Sequence, residues 1–185
     1  MKYFFKSFDF LNEEELDLID SLATKRILKK GEYLIQEGKV SNEIALIKSG
    51  ILRLFYTNST GEDFTGCLAF DNEILSAYSS FITQEPSEEN IQAVCDTEVS
   101  ILTREHLDFL YNRSASWQKV GRLIAEMHYV DLTKKITSFQ KDSAKERYNQ
   151  LVTKQPQYIQ AIPQHQLASF LGITPRHLSR LRKDF

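Results

Sequence analysis

The chain is short of cysteine. It has two in 185 residues, Cys67 and Cys95, with no CxxC and no Cys/His cluster beside them. That argues against a structural zinc and an iron–sulfur cluster, which need grouped thiolates or imidazoles. Both thiols are expected as buried core groups in a reducing cytoplasm. Histidine is sparse too: there are four, and none precedes His106. The front half therefore lacks the two or three strand histidines of a metal-dependent cupin, and His106 and His128 have no haem-binding context. Long apolar runs are missing too. "IALI" at Ile44–Ile47 is typical, far short of the ~20 residues a membrane helix needs. The opening MKYFFKSFDF breaks its aromatics with lysine and aspartate, so it does not read as a signal peptide. There is no Gly-rich phosphate loop and no GxSxG, and no Ser/His/Asp set stands out. The expectation is a non-enzyme with no cofactor and no metal.

What is present is an ordinary globular composition, 42% hydrophobic and 26% charged, in a chain long enough for one large domain or two small ones. The net charge of −2 conceals an asymmetry. Residues 1–140 hold 15 Lys+Arg against 22 Asp+Glu, and residues 141–185 hold 8 against 3. An acidic body with a basic tail fits a nucleic-acid contact at one end.

Five of the seven glycines (31, 38, 50, 61 and 66) punctuate short β-rich runs: EYLIQ, EIALIK, ILRLFYTN and DFTGCLAF. NSTGED at Asn58–Asp63 is a turn signal between two of them. Further on, NIQAVCD places Ile91, Ala93 and Cys95 on one face, and EVSILT follows. Many short strands at this spacing predict an antiparallel sandwich or barrel. A helix capped by Asn12 precedes it, with Leu16, Ile19 and Leu22 on one stripe. From about Arg104 the period turns helical. Thr103 caps one short helix. A 24-residue helix then runs over 116–139, about 36 Å long. Its apolar positions Trp117, Val120, Ile124 and Met127, then Leu132, Ile136 and Phe139, step by three and four. That stripe predicts a seam against a second copy, carried by Val120, Ile124 and Met127. Ser143 and Glu146 form a capping box for the next helix, and Pro156 and Pro163 bound a connector.

The last segment is the most specific. Read from Gln164, a helix–turn–helix needs a small residue at position 5, glycine at 9 and apolar residues at 4, 8, 10, 15 and 18. The sequence supplies Ala168, Gly172, Leu167, Leu171, Ile173, Leu178 and Leu181. Thr174 is an N-cap, and Pro175 stands where its missing N–H costs nothing. The second helix would present Arg176, His177, Ser179, Arg180, Arg182 and Lys183 to solvent, as a recognition helix does in a major groove. Arg176 and Arg180 are the expected base readers, since arginine bridges O6 and N7 of guanine. Gln164 and His165 are expected at phosphates, with Lys183 beside them.

At this point the chain resembles the Crp/Fnr superfamily of bacterial transcription regulators, over essentially its whole length. LKKGEYLIQEGKVSNEIALIKSGILRLFY looks like the β-roll of cyclic-nucleotide-binding domains, and IPQHQLASFLGITPRHLSRLRK like the family's DNA-reading unit. The resemblance implies an α+β protein. An N-terminal antiparallel β-roll (double-stranded β-helix, cupin-like) with flanking helices would span 1–115. A long dimerisation helix would span 116–140, and an all-α helix–turn–helix domain 141–185. It puts Pro175, Arg176 and Arg180 at bases, and Gln164, His165, Thr174 and His177 near phosphates. It implies a cytoplasmic homodimer on a two-fold-related site in double-stranded DNA, with RNA polymerase as a further partner and no membrane.

The departures matter as much. Cyclic-AMP-binding members meet the ribose with Gly-Glu and the cyclic phosphate with Arg-Ser/Thr. Here the first pair reads Asn72-Glu73, the second falls near Ser87-Glu88-Glu89, and no arginine lies between Arg53 and Arg104. Carboxylates where a phosphate should sit would repel it. The expectation is a regulator independent of cyclic nucleotides, with an unknown effector or none. Its pocket would be lined by Asn72, Glu73, Ile74, Ser76, Tyr78, Ser79, Ser87 and Glu88. The family's β-hairpin wing has no room in PQYIQAIP. The alternative function is a small-molecule-binding or protein-interaction module whose C-terminal helices do not read DNA.

Overall fold

The computed structural model describes residues 1–184. A single helical turn, α1 (Lys2–Phe5), is followed by α2 (Glu13–Leu22). Asn12 starts α2 with the full capping box. Its Oδ1 accepts the Glu15 N–H at 2.9 Å, and the Glu15 carboxylate accepts the Asn12 N–H at 3.2 Å. The strands β1 (Thr24–Leu28), β2 (Tyr33–Ile35), β3 (Glu43–Ser49), β4 (Leu52–Thr57), β5 (Asp63–Ala69) and β6 (Ile74–Leu75) come next. A short helix, α3 (Tyr78–Thr83), precedes β7 (Asn90–Ala93) and β8 (Thr97–Thr103).

These strands form two four-stranded antiparallel sheets, in the orders β1-β8-β3-β6 and β2-β7-β4-β5. The fold is thus the expected α+β β-roll. Its inter-sheet core includes Ala45, Ile47, Leu52, Leu54, Ile91, Val99 and Ile101, contributed by alternate positions of facing strands. Gly50 turns β3 into β4 with φ +110°, and a Cβ there would lie 2.8 Å from the Thr97 backbone. Only glycine fits so close an approach. The NSTGED turn is organised by Asn58, whose Oδ1 accepts the Thr60 and Glu62 N–H groups, each at 2.9 Å. One face assignment is corrected. Ile91 and Ala93 do enter the inter-sheet core, but β7 ends at Ala93, and Cys95 packs half-buried in a different cluster.

Helix α4 (Arg104–Arg113) is capped by Thr103, and α5 (Ala115–Lys141) by Ser114. The long helix is three residues longer than the 24 predicted, 27 in all, or about 40 Å. Its apolar stripe does not form one continuous seam. Trp117 and Val120 are buried in the chain's own core with Ile19, Leu46 and Leu110, and Ile124 packs half-buried against them. Val120 is therefore taken up inside the monomer, Ile124 partly so, and only Met127 of the three expected seam residues stands exposed. The reason is that α4 folds back onto the start of α5 and closes that face.

Beyond α5 come α6 (Ala144–Lys154), opened by the Ser143/Glu146 capping box, then α7 (Gln164–Phe170) and α8 (Pro175–Leu181). These tail helices do not hang free. Tyr148, Leu151, Ile159, Ile162, Leu167 and Leu171 share a core with Ile51, Leu68, Phe70 and Val94 of the β-roll. Helix α7 lies along β5, an edge strand. The Ser169 hydroxyl there accepts the Thr65 N–H at 2.8 Å, satisfying a donor the sheet leaves open. Tyr158, in the connector between α6 and α7, stacks on Phe70 with ring centres 5.5 Å apart.

Candidate nucleic-acid interface and effector chamber

Two features stand out: a basic helix–turn–helix surface, and a chamber between the long helix and the β-roll. The first is built from local chemistry. Gly172 turns α7 into α8 with φ +69°, the left-handed region that disfavours residues with a Cβ. A Cβ there would also meet the Phe139 ring of α5 at 2.8 Å. The turn is fixed further by Arg147, whose guanidinium donates to Leu171 O at 2.8 and 3.2 Å and to Asp142 O at 2.6 Å, over the Phe139 ring. The Thr174 hydroxyl accepts the His177 N–H at 3.2 Å, and Pro175 takes the first helical position. Leu167, Leu171 and Leu178 are at most 1% exposed and hold the two helices together.

Pro175, Arg176, His177, Arg180 and Lys183 are all exposed. Among the described residues no carboxylate forms an ion pair with Arg176, Arg180, Arg182 or Lys183. An unneutralised cationic face is what a polyanion requires. His165 is exposed at the start of α7. Gln164 differs from expectation. Its amide nitrogen donates to Pro175 O at 2.8 Å and to the Ser179 hydroxyl. Both N–H groups are used inside the unit, because the α7–α8 crossing brings those acceptors within reach. Gln164 is thereby a tie between the helices.

The chamber has a volume of about 730 Å³ and is walled by α5 on one side and by β4, β5 and the β6–α3 segment on the other. Of the eight residues expected around an effector, Ile74, Ser76, Tyr78 and Ser79 line it. The other four do not. Asn72 has φ +63° and its N–H donates to Ile47 O at 2.9 Å. The Glu73 carboxylate accepts the Phe70 N–H at 3.0 Å. Ser87 is buried, with its hydroxyl closed on the Glu89 backbone at 2.9 and 3.0 Å, and Glu88 faces solvent. Local turn formation consumes three of these side or main chains, which no spacing rule reveals.

The chamber also holds Tyr56, Cys67, His128 and Lys135, which were not expected in its lining, and Glu89, one of the two carboxylates expected where a phosphate would sit. Tyr56 donates to the Glu89 carboxylate at 2.8 Å, and burial pushes its phenol up to about 12. Burial also raises the Glu89 carboxyl, aided by Glu88 and opposed by the Tyr56 hydrogen bond. It pushes the Cys67 thiol up to about 11 and holds the Lys135 ammonium below its ordinary value. Lys135 arrives from a helix 68 residues downstream of Cys67, so no local motif could have flagged the pair. Among the described residues no arginine lines the chamber. The nearest candidate by sequence, Arg53, is buried and committed to Thr65 at 2.9 Å and Asp63 at 3.2 Å.

The comparisons agree with this architecture. Residues 25–114 match the family profile of the cyclic nucleotide-binding domain. The "Anaerobic regulatory protein" of Bacillus subtilis is 29% identical over 101 residues, which cover 54% of this chain and 42% of that protein. The "Cyclic AMP receptor protein" of Thermus thermophilus is 27% identical over 178 residues, 94% of this chain and 82% of that one. Among solved structures, FixK2 from Bradyrhizobium japonicum superposes with a TM-score of 0.76 at 14% identity, covering 88% of this chain and 83% of its own. A crp/fnr-family protein of Eubacterium rectale does so at 0.71 and 21%, covering 99% and 87%.

The chain belongs to the Crp/Fnr superfamily.

Within that superfamily this chain keeps the β-roll, the long helix and the helix–turn–helix. It departs in the chamber, where Glu89 and Lys135 are present and arginine is not. A cyclic phosphate would meet the Glu89 carboxylate with no guanidinium opposite it, and the Lys135 ammonium would have to offset that repulsion.

Proposed function

We propose that this protein is a sequence-specific DNA-binding transcription regulator, not an enzyme, that acts as a cytoplasmic homodimer without cyclic nucleotide. The observation that carries the reading is the exposed basic face of α8, free of ion pairs among the described residues and set at a fixed angle by Gly172, Thr174 and the Gln164 tie. On this reading Pro175, Arg176 and Arg180 meet base edges in the major groove. His165, Thr174, His177 and Lys183 meet phosphates. RNA polymerase is the machinery such a regulator would act on. Residues 1–115 would serve as the sensing body, 116–140 as the dimer helix and 141–185 as the reader. The dimer reading rests on exposed apolar residues of the long helix, among them Met127, Tyr129 and Val130. A second copy's helix would cover them. The chamber is the proposed effector site.

The test is selection of bound duplexes from a random library at fixed, near-physiological salt, with and without cyclic AMP. The expected result is an inverted repeat with half-sites about one helical turn apart, enriched equally in both arms. Absence of enrichment in both arms, with general low-salt binding only, removes the sequence-specific reading for the free protein. Enrichment only with cyclic AMP removes the independence from cyclic nucleotides.

A further inference from the structure

The chamber between the long helix and the β-roll carries two charges that the protein leaves unmatched. Lys135 lines it from α5 and is half-buried. Among the described residues no carboxylate forms an ion pair with it. Its ammonium lies over the Phe170 ring at 5.4 Å, and a cation–π contact at that range is weak compensation. Glu89 lines another part of the chamber and is also half-buried. Its Oε1 accepts the Tyr56 hydroxyl at 2.8 Å, and among the described residues no cation pairs with it. Both groups act electrostatically on the Cys67 thiol, while Glu89 is not among the groups that act on Lys135. The two charges therefore stand at separate points of the wall, with Cys67 between them. A charge drawn partly out of water without a partner is costly, and a bound molecule that supplies the partner recovers that cost.

The surface between them is apolar. Leu54, Ile74, Leu75, Leu132 and Ile136 face the same space of about 730 Å³, and a hydrocarbon body buried against them gains in proportion to its area. Two other polar groups of the wall have partners in the chain. Ser76 donates to Glu43 O at 2.9 Å, and Asp131, one turn before Lys135, lies 3.8 Å from Lys134.

We infer that the chamber binds an ω-amino acid, with its carboxylate on Lys135, its ammonium on Glu89 and its hydrocarbon body between them. This deepens, and rests on, the reading of the chamber as the effector site. A cyclic nucleotide brings an anion without the cation and leaves Glu89 uncompensated. A carboxylate on Lys135 also competes with the ring of Phe170, a residue of α7 in the helix–turn–helix. Occupancy is thus felt one side chain away from the reading unit.

Titration calorimetry on the full-length protein tests the ligand class. The probes are 4-aminobutyrate, 6-aminohexanoate and 8-aminooctanoate, with hexanoate, hexylamine and cyclic AMP as controls. The expected result is saturable binding of at least one ω-amino acid, about tenfold tighter than any control. No saturable binding by any of the three, or a control that binds as tightly, overturns the ligand class and leaves the chamber open to another effector. In Lys135→Met the ω-amino acid should bind no tighter than hexylamine, and in Glu89→Gln no tighter than hexanoate. Lys135→Arg keeps the charge and should keep the preference, which separates loss of the ammonium from loss of the fold. A preference that survives Lys135→Met or Glu89→Gln places the ligand elsewhere and overturns the site. A gel-shift titration on the selected duplex, with the ω-amino acid saturating, tests the effector reading separately. A changed DNA affinity is expected, and binding without any change removes the effector role while the ligand class stands.

Discussion

Arg176 and Arg180 sit one turn apart on the exposed side of α8, and each is expected to contribute about 1–3 kcal/mol to recognition of the selected duplex. Arg176→Ala and Arg180→Ala should each relax preference at one base position in a competition assay. Lys183→Ala should instead weaken all duplexes alike and reduce the salt slope by about 1. If both arginine variants keep full sequence preference, α8 is not the reading helix. A different residue, Glu89, links the chamber to stability. Burial raises its carboxyl above the ordinary 4.5 in the folded protein. The folded state thus holds the proton longer than the unfolded chain. Stability falls as pH rises past the ordinary value, and the loss is complete above the folded one. Glu89→Gln keeps an oxygen for the Tyr56 hydroxyl and removes the charge. It should raise Tm at neutral pH, with the gain vanishing near about pH 4. A gain that is the same at every pH would show that Glu89 carries no buried charge.

At the scale of elements, five of the helices begin at a side-chain cap. Asn12, Thr103, Ser114, Ser143 and Thr174 each accept an N–H from the first turn, typically about 1 kcal/mol apiece. All but Ser114 were legible as starts, because a cap acts on a group three residues away. The turn between α7 and α8 is more tightly specified than its motif requires. Gly172 combines a φ of +69° with Phe139 2.8 Å from where a Cβ would be. Gly172→Ala should destabilise the protein by more than about 1 kcal/mol in chemical denaturation, since the strained backbone and the displaced ring both count. A neutral result would mean that α5 and the turn separate easily. The same contact makes the end of the long helix a direct support of the reading unit, through Phe139 and Arg147.

For the molecule as a whole, the long helix is divided between two tasks. Its first turns complete the monomer's core, and its exposed middle carries Met127 at 56% and Val130 at 45%. Met127→Asp should therefore yield monomers by light scattering while leaving the monomer's fold intact by circular dichroism, and should weaken binding to the palindromic site. Persistence of the dimer would remove Met127 from the interface. Ile124→Asp would be a poorer probe, because Ile124 packs against the chain's own core and a charge there threatens folding. The tail is equally a whole-molecule matter. Its helices share a core with the β-roll, and Ser169 reaches back to Thr65, so the helix–turn–helix and the β-roll are mechanically joined.

Periodicity, caps and turn chemistry were enough to place six of the eight β-roll strands, all but β1 and β6, the long helix and the seven defining positions of the helix–turn–helix. Each depends on residues a few positions apart, whose relation the covalent chain sets. Short elements with little pattern, such as β6 at Ile74–Leu75 and α3 at Tyr78–Thr83, went unseen, since two to six residues are too few to display a period. Everything that depends on distant segments meeting lay beyond such reasoning. Gln164 tied itself to α8, Val120 went to the monomer core, and Lys135 and Glu89 came to one chamber. These outcomes follow from how surfaces dozens of residues apart pack in three dimensions, where burial and close contact outweigh the local pattern.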